Sequence, residues 1–312
     1  MRSVAAPIFA LILTAGLASA ADQKKSDPSQ IGNRDVGKGV NFYSIEKEMA
    51  LGKQLAEEVQ RQAKVLDDPL ITEYVNRLGQ NLVRNSDAKV PFTFRVIDGP
   101  EVNAFALPGG YIFVYTGLIK MADEEDELAA ALAHEIAHVA ARHMTRNATK
   151  GQLAQIGMIP LTIGLGGWGG VAARQAAGSA IIPMTFLSFG RKDESEADYL
   201  GVQYLYSAGY DPNGAISMFE KLEMLEKAKP GAVSRLFSTH PMDADRIAKT
   251  QEEIQKILPS KTDYVVTSSE YAQIRERLMQ QETQRKEANP ERPTLKVAPG
   301  AGGPDERPTI NR

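Results

Sequence analysis

Two histidines and a glutamate carry the clearest chemistry in the chain. They stand in the stretch Ala133-His134-Glu135-Ile136-Ala137-His138, an HExxH sequence. On a helix, His134 and His138 lie about 40° apart on one face, so both imidazoles can reach one metal ion. Glu135 lies on the flank, about 60° from His138, where a carboxylate reaches a metal-held water rather than the metal. Two neutral nitrogens for zinc and a carboxylate for the water's proton are what hydrolytic zinc chemistry needs. Histidine is scarce, four in 312 residues, so this pairing is not background.

The helix that must carry them is written into the flanking residues. Asp123, Glu124, Glu125 and Asp126 stand where negative charge favours a helix N-terminus. Leu128, Leu132, Val139 and Met144 supply apolar positions. Arg142, His143 and Arg146 suit the C-terminal end.

Two histidines leave zinc short, because a catalytic ion takes three protein ligands and an open position. His143, His240 and the carboxylates of Arg191–Asp198 are the candidates. On a continuing helix His143 points about 180° away from His134, which makes it a structural histidine. Glu194 and Asp198 lie one turn apart, so Glu194 can ligate while Asp198 orients a ligand histidine. Glu196 is a rival ligand, and a solvated charged face is the common fate of such a run.

The elements around these residues follow from periodicity. Helices are expected from Ser44 through Val59 and from Asp68 onward, the latter with Asp68 as N-cap, Pro69 first, and Leu70, Tyr74, Leu78 and Leu82 along one face. Phe92–Asp98 and Tyr111–Tyr115 read as strands, with Asn103–Leu107 extended and Pro108-Gly109-Gly110 as a break. Further helices are expected at Arg191–Ala208, Asn213–Lys229, Asp243–Ile257 and Ser269–Glu282. Tyr264–Thr267 is strand-like, and Ser238-Thr239-His240-Pro241 reads as a turn.

The ends and one insert read differently. Residues 1–20 have the form of a signal peptide, with cleavage expected after Ala20. Residues 21–43 read as a mobile lead-in, 44–283 as the folded domain and 284–312 as a disordered tail. Residues 151–190 are apolar and Gly-rich, a mobile lid or hairpin with possible contact to a membrane surface. There is no cysteine, which excludes disulfides, thiolate metal sites and a cysteine nucleophile. A net charge of −3 gives no sign of a nucleic-acid partner.

HEIAH, the later Glu194-Ser195-Glu196-Ala197-Asp198 segment, the upstream Asn103–Gly110 segment and Ser238–Pro241 together resemble the HtpX/BepA-like zinc metallopeptidases, metallopeptidase family 48. The likeness covers roughly residues 44–258 and is nearer the soluble periplasmic BepA/LoiP-type branch. It implies a mainly helical α+β fold of the gluzincin type, with a small sheet beside the HExxH helix. It also implies one Zn2+ held by His134, His138 and Glu194, with Asp198 behind them and Glu135 as general base. His240 is the candidate oxyanion donor or a latch on the metal's open position, and Arg246 a second donor. Asn103, Ala104, Phe105 and Ala106 are then an edge that pairs with an extended substrate. The expected function is hydrolysis of unfolded or misassembled cell-envelope polypeptides in the periplasm. The alternative is a chaperone-like factor with a latent or structural zinc. After residue 258 too little helix is expected for even a few of the C-terminal repeats of BepA-type proteins, and there is no lipid-attachment cysteine.

Overall fold

A computed structural model describes residues 27–164, 188–242 and 245–288. The signal expected over 1–20, most of the 151–190 segment and the tail beyond Ala288 lie outside the described residues. No described helix is long and apolar enough to cross a membrane.

The fold is mainly helical with one three-stranded sheet. Helices α1 (Ile45–Gln62) and α2 (Pro69–Arg84) start where their caps are written. Ser44 Oγ accepts from the Lys47 N–H at 3.3 Å, and Asp68 Oδ1 from the Leu70 N–H at 3.2 Å. Along α2, however, Leu70 is exposed, while Ile71 and Val75 join Tyr74, Leu78 and Leu82 inside. A strict spacing of four drifts about 40° per step, so the far end of that row rotates into solvent.

Strands β1 (Thr93–Ile97), β2 (Ala104–Leu107) and β3 (Tyr111–Tyr115) form a sheet of order β1-β3-β2. β3 is central, parallel to β1 and antiparallel to β2. The hairpin between β2 and β3 needs its glycines. Gly109 and Gly110 have φ of +73° and +93°, and a Cβ on Gly109 would stand 2.6 Å from Met49 Cα. The close approach that this break permits is therefore to α1.

Helix α3 (Thr116–Met121) leads to α4 (Glu125–Ala140), which carries the HExxH residues and packs on α2, β2 and two later helices. α4 does not continue to Met144. The chain breaks at Arg142, whose φ is +56°, and α5 (His143–Gly164) begins on a new axis. Glu48 of α1 holds the break, accepting from Arg142 Nε at 2.7 Å, while Arg142 Nη2 donates to Tyr43 O. α5 runs well past Gly151, so the described start of the expected lid is helix.

The remaining helices are α6 (Arg191–Ser207), α7 (Gly214–Ala228), α8 (Ser234–Thr239), α9 (Asp245–Ile257) and α10 (Ser269–Ala288). The expected turn at Ser238–Pro241 is the end of α8, with His240 as its C-cap. The strand-like Tyr264–Thr267 piece contributes one bridge, Val265 to Tyr210. α10 passes the expected start of the tail, and Arg285 pairs with Asp98 at 2.7 Å.

Two residues of the expected lead-in, Arg34 and Val36, are buried. Arg34 is 3% exposed. Its Nη2 meets Asp87 Oδ2 at 2.6 Å and its Nη1 meets Gln203 Oε1 at 2.6 Å. Asp87 also accepts from the Gly32 N–H and the Tyr204 hydroxyl. Composition hid this, because a buried ion pair is drawn from the same residue types as a solvated loop. Arg34→Met is expected to cost about 3–5 kcal/mol by leaving a buried carboxylate unpaired, read by chemical denaturation. A cost near zero would mean that the lead-in does not brace α6.

Candidate metal centre

α6 lies against α4 because Gly201 faces the backbone of His134, where a Cβ would stand 3.3 Å from His134 N. Glu194, Asp198, Gly201 and Leu205 share one face of α6 by their spacing of four, three and four. The same contact that buries Leu205 therefore brings Glu194 and Asp198 onto His134 and His138.

Four ligand atoms converge there, from His134, His138, Glu194 and His240. His134 Nε2 lies 3.0 Å from His138 Nε2 and 3.3 Å from His240 Nδ1. Glu194 Oε1 lies 3.4 Å from His138 Nε2 and 3.0 Å from His240 Nδ1. Ligands about 2.05 Å from a tetrahedral zinc stand about 3.3 Å apart, so these separations fit one such ion. The donor set of imidazoles and one carboxylate fits it as well.

The outer atoms fix the rings. His134 Nδ1 is 3.0 Å from Asp198 Oδ1, which leaves Nε2 for a metal. His138 Nδ1 faces His143 Nδ1 at 3.0 Å, and His143 Nε2 faces Glu196 Oε2 at 3.2 Å. One proton arrangement satisfies this row: His138 donates to His143, which donates to Glu196. His143 is outside the cluster, but not because it sits across a continuing helix. The break at Arg142 turns it back onto His138. Glu196, the rival ligand, ends that row instead of entering the cluster.

Charge follows the same design. Burial opposes a charged His134, yet its bonds to Asp198 and Glu194 outweigh that and raise it to about 10. The carboxylates thus demand positive charge at this point, on a ring or on a metal ion. Burial holds His138 well below its ordinary value, in the neutral form that ligates. Burial also disfavours the Glu194 carboxylate, but His240, His134 and His138 together hold it strongly ionised.

Glu135 lies beside the cluster. Its Oε2 accepts from the Ala106 N–H at 2.9 Å, and its Oε1 is 3.3 Å from His240 Nε2. Burial raises this carboxyl above its ordinary value. His240 faces the ligands with Nδ1 and Glu135 with Nε2, so its ring spans the site.

Arg246 lies against two carboxylates. Its Nε and Nη2 donate to Asp198 at 2.8 and 2.7 Å, and its Nη1 meets Glu194 Oε2 at 3.0 Å. The guanidinium braces both carboxylates, which fits a positioning residue. Sequence reasoning missed Phe189. Its ring stacks on His138 with centroids 3.9 Å apart, and its N–H donates to Thr239 O at 3.1 Å. An aromatic between an apolar stretch and a charged one gives no signal of this.

Asn103 is buried, and β2 is the edge strand. Tyr115 N donates to Asn103 O, so Asn103, Phe105 and Leu107 face β3 with their backbone groups. Ala104 and Ala106 turn theirs away from β3, and the Ala106 N–H meets Glu135.

The comparisons agree with this geometry. Residues 69–254 match the profile of peptidase family M48. The chain is 30% identical over 275 residues to the beta-barrel assembly-enhancing protease of Yersinia pestis, covering 83% of this chain and 54% of that one. It is 34% identical over 239 residues to the protein of the same name from Escherichia coli (strain K12), covering 73% and 47%. It is 30% identical over 201 residues to the metalloprotease LoiP of Escherichia coli (strain K12), covering 63% and 76%. The chain spans about half the length of the beta-barrel assembly-enhancing proteases it matches. An HExxH helix, a glutamate brought to it by a second helix, and a profile match over more than half the residues have one reading: this chain belongs to peptidase family M48.

Proposed function

We propose that the chain is a zinc-dependent endopeptidase of the cell envelope that hydrolyses unfolded or misassembled polypeptides. The observation that carries this reading is Glu135, buried 3.3 Å from His240 and beside four converging ligand atoms. A structural metal site has no use for such a carboxylate, which weighs against the chaperone-like alternative. The relatives' printed names, a beta-barrel assembly-enhancing protease and a metalloprotease, support the peptidase reading.

His134, His138 and Glu194 would hold the ion. When bound, zinc supplies a more acidic water and polarises the scissile carbonyl. Glu135 takes the water's proton on a carboxylate oxygen and delivers it to the leaving amine nitrogen. Asp198 and Arg246 keep the His134 ring and Glu194 aimed. The outward N–H and C=O of Ala104 and the C=O of Ala106 pair with an extended substrate, with little demand on its sequence. Export after Ala20 into the periplasm completes the reading.

His240 acts as a latch in this arrangement, because its ring contacts both the ligand atoms and Glu135. His240→Ala is expected to raise casein hydrolysis several-fold at unchanged metal content. A fall would make His240 the oxyanion donor instead, and the assay is a casein digest by full chain loaded with zinc.

A further inference from the structure

Two side chains outside the cluster decide which nitrogen of His138 is free for it. His138 turns Nε2 toward the other ligand atoms, 3.0 Å from His134 Nε2 and 3.4 Å from Glu194 Oε1. Its Nδ1 meets His143 Nδ1 at 3.0 Å, so one of these two nitrogens donates and the other accepts. If His143 donated, the His138 proton would sit on Nε2, and that atom could not bind a metal. If His138 donates, Nε2 keeps its lone pair. Glu196 chooses between the two. Its Oε2 lies 3.2 Å from His143 Nε2, and a carboxylate accepts without donating. Arg146 Nη1, 3.5 Å from the same oxygen, sets a positive charge beside it. His143 therefore donates from Nε2 and is left to accept at Nδ1.

This row exists only because the chain breaks between α4 and α5. On an unbroken helix His143 would stand about 140° round the axis from His138. Arg142 makes the break with φ of +56°, which a residue other than glycine holds only under restraint. The restraint comes from α1. Glu48 is buried there, and its Oε2 accepts from Arg142 Nε at 2.7 Å and from Thr145 Oγ1 at 3.1 Å. One carboxylate oxygen thus grips both the joint and the first turn of α5. Glu48 itself is not among the four converging residues.

We propose that His143 and Glu196 are positioning residues that hold the His138 proton on Nδ1 and so set the site's affinity for its ion, and that Glu48 acts on the same affinity from α1 by holding the joint. The inference rests on the metal reading of the cluster. It adds three residues that touch no metal and gives each a defined task. Glu196 fixes the direction of the hydrogen bonds, His143 passes that direction inward, and Glu48 keeps His143 within reach. A buried histidine that served packing alone would need only its volume. This one has to accept at one nitrogen and donate at the other.

The first test is zinc affinity of the full chain, read by competition with a chelator, with metal-free melting curves to show which variants fold. His143→Leu fills the space but accepts nothing, and should lower affinity by about 10–100-fold. His143→Asn keeps an acceptor near the place of Nδ1 and should recover most of that loss. A packing role predicts the opposite order, since leucine is the better buried filler. Glu196→Ala and Glu48→Ala should each weaken binding by about tenfold. The Glu48→Ala loss should vanish in the His143→Leu background, because the joint then has nothing to position. Parent-like affinity in folded His143→Leu, Glu196→Ala or Glu48→Ala overturns the inference and leaves the metal reading intact. So does His143→Asn binding no better than His143→Leu, or a full Glu48→Ala loss in the His143→Leu background. The second test reads the parent itself. In the metal-free chain labelled with 15N-histidine, two-bond nitrogen–proton correlations show which nitrogen carries the proton in each of the four histidines. His138 is expected to carry it on Nδ1, and a proton on Nε2 overturns the inference whatever the affinities are. If the parent takes up no zinc, the metal reading fails, while a His138 proton on Nδ1 still upholds the row.

Discussion

Glu135→Gln is expected to keep its metal and its fold and to lose its hydrolysis, by about 10²–10⁴-fold. That corresponds to about 3–5 kcal/mol on the barrier. The substitution is nearly isosteric. The glutamine carbonyl can still accept the Ala106 N–H that Glu135 Oε2 holds at 2.9 Å. The Ala106 donor is not orphaned, so the melting temperature should move little. What is lost is the group that takes a proton. Zinc analysis, thermal melting and casein cleavage on one preparation separate these effects. Loss of metal or fold along with activity would mean that Glu135 is structural.

Glu194→Gln should do the reverse and act through the metal. Glu194 is the carboxylate shared by His134, His138, His240 and Arg246. Replacing it removes the negative charge that a divalent ion needs and leaves the Arg246 Nη1 contact weakened. Zinc affinity is expected to fall by at least about 10²-fold, more than for loss of an outer partner. A ligand present at 100 times its dissociation constant stabilises by about 2.7 kcal/mol. The rise in melting temperature on zinc addition should therefore shrink or vanish in the variant. Unchanged affinity, measured by competition with a chromogenic chelator, would remove Glu194 from the ligand set.

Much of this site could be read from residue order because its parts are local. His134, Glu135 and His138 depend only on one helix turn, and Ser44 and Asp68 announce their own helices. Glu194 and Asp198 needed the family likeness, since nothing local says which face of α6 meets α4. Gly201 decides that, and its role appears only when the two backbones are side by side. The break at Arg142 was not legible either. A residue with positive φ is usually glycine or asparagine, and here an arginine adopts it with Glu48 holding its side chain. That break places His143 on His138, so a sound geometric rule applied to an unbroken helix put His143 in the wrong surroundings. Arg34 and Phe189 were missed for a related reason. Their partners Asp87 and His138 are 53 and 51 residues away along the chain, beyond any periodic pattern.

The most direct test of the central claim is metal content and casein hydrolysis on the same full-length preparation, before and after chelation. The expected result is about one zinc per chain, loss of cleavage when it is removed and recovery when zinc is returned. With His240→Ala in parallel, a latched site is told apart from an inactive one. A folded chain that binds no zinc, or one that cleaves equally well after chelation, would contradict the zinc peptidase reading.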